Sequence, residues 1–317
     1  MVRSWRPAAG CGLISGAVSM IILLAFPALA AARTEEGLRT SSGITVRMDY
    51  SSLQPGEPLL FILEGRSDVH AAVLRFLGKT VVLRPAKPGG DALAFMGIDL
   101  DVKPGEYPID IQVEKTDGIL EKAHRDIAIL EKKFPSQKLW VKQEYATPPR
   151  SLTERIRRES EMVSLIFSLE TPEWLGDGDF IAPNPAEHWP NFGQRRLTNN
   201  VLRTVHTGVD VEVPFGGPIK AVNAGRVVLA SHLYLSGMTV IIDHGLGVFS
   251  FYGHLSKILI KPGDRVAKGE VVGNCGTTGR STGPHLHWSM RILDSRVDPY
   301  EMLSLPIPGG TSSARGK

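Results

Sequence analysis

Short apolar runs broken by turn residues dominate residues 42–132. Ile44, Val46 and Met48 alternate with polar neighbours, and further runs follow at 59–63, 71–76, 80–83 and 109–113. Pro55-Gly56, Pro88-Gly89-Gly90 and Pro104-Gly105 separate them. Alternation with period two marks strands half-buried on one face, and Pro-Gly pairs mark the turns between them. About seven strands in so short a segment predict a small β-sandwich over 42–132. Its two histidines, His70 and His124, have no ligand spacing. It carries no chemistry of its own, and a spacer, a docking surface or a cover are its expected roles.

The pattern changes after residue 132. A connector with one helix is expected over 133–172. Ser151-Leu152-Thr153-Glu154 reads as a capping box, and Leu152, Ile156, Val163, Ile166 and Leu169 recur at near-helical spacing. Pro172 closes the helix. Residues 173–205 read as loop, anchored by Trp174, Phe180, Trp189 and Phe192, and strand-and-turn alternation returns from His206 to about Ile292. A Gly- and Ser-rich tail, 304–317, reads as disordered.

Residues 1–30 stand apart. Arg3 and Arg6 precede an apolar stretch centred on Ile21-Ile22-Leu23-Leu24, and Ala28-Leu29-Ala30 supplies the small-x-small pattern of a cleavage site. That order predicts a signal peptide and a periplasmic or secreted destination. An uncleaved anchor is the alternative, although the stretch is barely long enough to span a bilayer. No second span follows, so no stable membrane span is expected after cleavage.

Composition sharpens this picture in three places. Among 317 residues, 33 Gly and 22 Pro favour many short strands over long helices. Removing Arg3 and Arg6 from 36 basic residues set against 33 acidic ones leaves a net charge near +1, which excludes nucleic acid as the main partner. Cleavage also removes Cys11 and leaves Cys275 alone, so no internal disulfide is available.

Seven of the nine histidines lie between residues 188 and 287. In His206-Thr207-Gly208-Val209-Asp210, strand alternation puts Val209, Val211 and Val213 on one face, with His206, Gly208 and Asp210 on the other. An imidazole and a carboxylate then share a face, and Gly208 leaves room for an ion between them. In His285-Leu286-His287 the two imidazoles converge while Leu286 packs inward. Together the halves offer histidines and an aspartate for three protein ligands with an open fourth position, the pattern of catalytic zinc, although other divalent metals fit the same ligand types.

These residues resemble those of the lysostaphin-like, LytM-type zinc metalloendopeptidases that cut peptidoglycan peptides. The resemblance spans about residues 190–300. It rests on Phe192-Gly193-Gln194-Arg195-Arg196, the His206–Asp210 motif, Tyr252-Gly253-His254-Leu255, and the run from Gly276 to Trp288 that contains His285-Leu286-His287. It implies that His206, Asp210 and His287 bind Zn(2+) and that His254 and His285 serve catalysis. It also implies a compact, mostly antiparallel β catalytic domain over 173–303, so that with the N-terminal β-sandwich and short connecting helix read from the pattern the whole chain is expected to be mostly β.

The implied activity is hydrolysis of peptide bonds in peptidoglycan stem peptides or cross-links through a metal-activated water. His285 would take the proton from that water, and His254 would stabilise the oxyanion or shuttle the proton onward. Peptidoglycan is the expected partner. A non-catalytic LytM-type module that binds or activates a cell-wall amidase is the alternative, and a zinc peptidase acting on proteins is a third. Glu212 is a lesser candidate base. His244, His232 and His188 read as structural, and Cys275 as a buried thiol. The glycines between Gly276 and Gly283 are expected to let a loop pass close to the substrate backbone.

Overall fold

The structure is a computed structural model that describes residues 33–308. The expected signal peptide and residues 309–317 of the expected tail lie outside the described residues. Among the described residues no helix is long and apolar enough to cross a membrane.

Eight strands open the chain: β1 (Thr34–Arg39), β2 (Thr45–Tyr50), β3 (Pro58–Leu63), β4 (Val69–Phe76), β5 (Lys79–Leu83), β6 (Ala92–Gly97), β7 (Gly105–Lys115) and β8 (Leu120–Ile129). They form two four-stranded antiparallel sheets, ordered β1-β2-β3-β6 and β5-β4-β7-β8. The first strand begins ahead of the segment read as strands from the sequence. Met48, Phe61, Leu74, Phe76 and Ile109, all buried, fill the space between the sheets.

All six residues of β3 are buried. Leu59, Phe61 and Leu63 face the other sheet of the sandwich, whereas Leu60 and Ile62, with Phe95 of β6, join the core of the C-terminal half. A strand covered on both faces needs no polar alternation, which explains the unbroken run Leu59-Leu60-Phe61-Ile62-Leu63. The junction is tight. A Cβ on Gly97 would meet Val297 Cγ1 at 2.6 Å and Ser295 Cβ at 2.8 Å. Ser295 Oγ donates to Gly97 O at 2.9 Å, and Arg296 pairs with Asp99 and Asp101. The first half therefore packs directly against the second.

The connector holds β9 (Ser136–Leu139), α1 (Gln143–Ala146) and α2 (Arg150–Phe167). The expected capping box does not form. Pro149, extended at φ −55° and ψ 149°, precedes the first turn with no side-chain cap, so Ser151 and Glu154 lie inside the helix. Glu154 pairs with Arg157 instead, at 2.7 Å. Pro149 stands at the cap position with φ preset by its ring, and its carbonyl accepts from Leu152 N at 2.9 Å, so helical backbone begins at Arg150, before the serine could cap it. The helix stops at Phe167, ahead of Pro172. Phe167, Val163 and Ile166 rest on Leu229, Leu233, Ile241 and Phe249.

The segment read as loop contains two strands, β10 (Arg195–Thr198) and β11 (Leu202–Val205). With β9 they make a three-stranded sheet ordered β11-β10-β9, in which β9 runs parallel to β10. Asn199 and Asn200, at φ 49° and 58°, turn the chain between β10 and β11. Each strand has four residues, too few for an alternation to register. Of the four expected aromatic anchors, Phe180 and Phe192 are buried and Trp174 is packed against the core, but Trp189 is 58% exposed.

The remaining strands are β12 (Val209–Val211), β13 (Pro218–Lys220), β14 (Gly225–Leu233), β15 (Gly237–Asp243), β16 (Val248–Ile258), β17 (Arg265–Val266), β18 (Val271–Cys275), β19 (Leu286–Ile292) and β20 (Ser295–Val297). They make one nine-stranded antiparallel sheet with the central path β12-β19-β16-β15-β14-β17; β18 pairs with β13 and β16, and β20 with β19. A short helix, α3 (Pro299–Met302), is capped by the Asp298 carboxylate accepting from Tyr300 N at 3.1 Å.

Candidate metal centre

Strand register assembles the site. β12 pairs with β19 so that Asp210 stands opposite His287, and β19 pairs with β16 so that His287 stands opposite Gly253, the neighbour of His254. His206 lies in the turn between β11 and β12. Its N–H donates to Gln194 O at 2.9 Å, its carbonyl accepts from Gly193 N at 2.8 Å, and its Nδ1 lies 3.0 Å from Asn191 O. A carbonyl can only accept, so the proton sits on Nδ1 and the Nε2 lone pair faces inward.

Three ligand atoms converge there. His206 Nε2 is 2.9 Å from His287 Nδ1 and 3.1 Å from Asp210 Oδ1, and His287 Nδ1 is 3.3 Å from Asp210 Oδ1. Bonds of about 2.0–2.1 Å in a tetrahedral shell set ligand atoms about 3.3 Å apart. The trio thus already has nearly the spacing a metal ion needs, and its donor types suit one. Burial drives the His287 imidazole down to about 4, so its ring is neutral at physiological pH. Burial would raise the Asp210 carboxyl, but the imidazoles of His206 and His287 beside it outweigh burial and hold the group well below the usual carboxylate range.

Two residues to which the sequence reading gave no role hold the second oxygen of Asp210. Arg196 Nη2 donates to Asp210 Oδ2 at 2.7 Å and Asn191 Nδ2 at 3.0 Å, while Asp210 N donates to Asn191 Oδ1 at 3.1 Å. Asn191 thus braces two of the three convergent groups. Arg196 belongs to the Phe192–Arg196 motif, but nothing in its spacing announces a carboxylate partner fourteen residues away.

His254 and His285 flank the trio. His285 Nδ1 lies 2.8 Å from Gly283 O and His254 Nδ1 lies 2.8 Å from Thr278 O, so both rings carry their proton there and keep Nε2 as an acceptor. His285 Nε2 is 3.7 Å from Asp210 Oδ1, and the two ring centroids are 4.8 Å apart. His285 precedes β19, held by an isolated bridge to Gly276. His254 adopts φ 62°, a strained value for a residue with a side chain, secured by its N–H donating to Ser236 O at 2.7 Å. Burial, then the nearby His285 and His287, push it down to about 3.

All five residues line one cavity of about 460 Å³, walled on one side by the β9-β10-β11 sheet. Glu212 also lines it, but its Oε1 accepts from Trp189 Nε1 at 2.5 Å. His244 is buried between Ala224 O and Ser250 Oγ, both at 2.7 Å, and His188 stacks on Tyr300. Cys275 is fully buried, and burial raises its thiol to about 11, far from a reactive thiolate.

Gly208, Gly276 and Gly279 serve the protein's own backbone, whereas a Cβ on the cleft-lining Gly283 would meet nothing within 4 Å. A Cβ on Gly208 would meet Trp288 O at 2.4 Å and His287 Cε1 at 3.0 Å, so the missing side chain admits β19, and the space credited to an ion is taken by that strand. Gly276 and Gly279 likewise lie against the backbones of Ser256 and of Leu235 and Gly237, where the sequence reading had expected substrate.

A β-sheet cleft with two histidines and an aspartate at its floor is a class known among metallopeptidases, and residues 204–299 match peptidase family M23. That segment, less than a third of the chain, is thus a peptidase M23 domain. It is 38% identical over 123 residues to the peptidoglycan DD-endopeptidase ShyA of Vibrio cholerae, covering 38% of this chain and 28% of that protein. It is 41% identical over 119 residues to the DD-carboxypeptidase/endopeptidase Mpg of Neisseria meningitidis, covering 37% and 27%. The matched segment thus spans under a third of the length of these curated relatives. A crystal structure from Pseudomonas aeruginosa, titled as a candidate peptidase M23, superposes with a TM-score of 0.60 at 28% identity, over 80% of this chain and 95% of that one.

Proposed function

We propose that this protein is an exported, zinc-dependent endopeptidase that hydrolyses peptide bonds in peptidoglycan stem peptides or cross-links. The observation that carries this reading is the convergence of His206, Asp210 and His287 on one point of a cleft, with two further imidazoles beside them. A zinc ion held by those three would lower the pKa of water toward about 7 and polarise the scissile carbonyl.

The chain's own residues supply proton transfer and orientation. His285 presents a lone pair at Nε2 and takes a proton from the attacking water, and the carboxylate of Asp210 beside it favours the imidazolium that results. His254, equally an acceptor at Nε2 while its Nδ1–H is held by Thr278 O, orients that water and relays the proton. A neutral His254 in this tautomer has no N–H for an oxyanion, which favours the shuttle role over the oxyanion role. Arg196 and Asn191 occupy Asp210 Oδ2 and leave Oδ1 for the metal.

Export rests on the order of charge, apolar core and small residues in 1–30. Incubating the mature protein with purified peptidoglycan, with and without a chelator, and resolving the products by mass tests the reading. New amino termini that disappear with chelator and return with zinc are expected. An undigested sacculus together with stimulation of a purified amidase would sink it in favour of the activator module.

A further inference from the structure

Four charged side chains line the cleft: Arg196, Asp210, Glu212 and Arg280. Arg196 is committed to Asp210, and Glu212 accepts from Trp189. Among the described residues, Arg280 has no carboxylate within 4 Å and its guanidinium makes no hydrogen bond to protein; only its backbone N–H is engaged, with Leu235 O at 2.7 Å. Its charge is half-buried, and both burial and the neighbouring Arg196 lower its pKa. A fold gains nothing from holding a second guanidinium near a first with no counter-charge.

The loop that carries Arg280 is firmly placed. Thr278 Oγ1 donates to Leu255 O at 2.7 Å and accepts from Met238 N at 2.9 Å. Gly279, at φ 72°, lies so close to Gly237 N that a Cβ would come within 2.4 Å. The backbone of Arg280 is therefore fixed at the cleft wall, and its unused side-chain donors are available to whatever fills the cleft.

We propose that Arg280 is the anchor for a free carboxylate on the substrate peptide, which its guanidinium engages through two parallel N–H donors. This rests on the reading of the cleft as a peptidase site and adds to it a substrate class: peptides bearing an unamidated carboxylate near the scissile bond. That carboxylate comes either from a side chain beside the bond or from the peptide's own C-terminus. The fork geometry and the missing counter-charge are satisfied together by such a group.

The test uses three synthetic cross-linked peptides: one with both carboxylates free, one with the side-chain carboxyl amidated, one with the C-terminus amidated. Wild type, Arg280→Gln and Arg280→Lys are compared by kcat and KM. Binding of each peptide to the chelated proteins is measured by calorimetry. A charge-assisted bond lost from a half-buried site corresponds to about 10- to 100-fold. One amidated peptide should lose that factor with wild type, mostly in KM, and which one identifies the source. Arg280→Gln should cleave and bind all three alike, with zinc content unchanged, and Arg280→Lys should recover part of the loss. Equal cleavage of all three peptides by wild type overturns the anchor and leaves the peptidase reading intact. If wild type cleaves none, the peptidase reading falls, and equal binding of all three to the chelated protein then refutes the anchor separately.

Discussion

Gly208→Ala puts a methyl group where the backbone of β19 runs. The new Cβ would lie 2.4 Å from Trp288 O and 2.6 Å from Ser289 Cβ, about 1 Å short of ordinary contact. Neither obstacle is the free end of a side chain, since Trp288 O is backbone and Ser289 is buried in the sheet. Relief requires β19 and β12 to part, and overpacking of this kind costs about 1–3 kcal/mol, here at the upper end because a strand must move. At about 2–4 °C per kcal/mol, melting should fall by about 6–12 °C in the metal-free protein. The same parting separates Asp210 from His287, which face each other across these strands. Ligand positions tolerate about 0.2 Å, so zinc affinity should also drop, as read by competition with a chromophoric chelator. If Gly208 only left room for an ion, the metal-free variant would melt with wild type. A shift under about 1 °C in the absence of metal would refute the backbone-approach argument.

Three further outcomes are expected. Asp210→Ala should lose zinc and activity together, whereas His285→Ala should keep zinc by elemental analysis and lose about 10²- to 10⁴-fold in turnover; zinc loss in His285→Ala equal to that in His287→Ala would overturn the roles. Thiol-blocking reagents should leave native activity unchanged, because Cys275 has no exposed surface and burial raises its pKa to about 11; rapid inactivation would contradict the packing. Glu57 is 2% exposed, and burial raises it from the ordinary range to about 7 despite Ser51 N donating to its Oε1 at 2.5 Å. A carboxyl whose folded pKa is raised stabilises while protonated, and the contribution fades as pH climbs from about 4.5 through 7. Urea unfolding of wild type should thus be about 2 kcal/mol less favourable to the fold at pH 8 than at pH 5 from this group alone, and Glu57→Gln should abolish that difference.

The candidate site was legible in the sequence because its side chains come from motifs whose spacing is local: four residues from His206 to Asp210, two from His285 to His287. Tertiary register then had only to bring the two halves together. What escaped were features set by partners far along the chain. Arg196 and Asn191 act through Asp210, and β9 pairs with β10 across more than fifty residues, with four-residue strands too short to show a period. The capping box was misread because Pro149 starts α2 before Ser151 can cap it. Trp189, expected as an anchor of the 173–205 loop, is instead largely exposed, with its indole N–H donating to Glu212 at the cleft rim.

The double duty of β3 constrains the order in which this molecule can come together. A chain made from its amino end completes β1 to β8 first, and that half can close its own core with Leu59, Phe61 and Leu63. Leu60, Ile62 and Phe95 must then wait, facing outward, until strands more than a hundred residues downstream arrive to cover them. During that interval the nascent half displays an apolar surface in search of a neighbour, which is the moment of greatest exposure to aggregation and to chaperone capture. Folding is completed by the same step that builds the sheet at the floor of the cleft, so the covering of the outer face of β3 and the cleft itself arrive together.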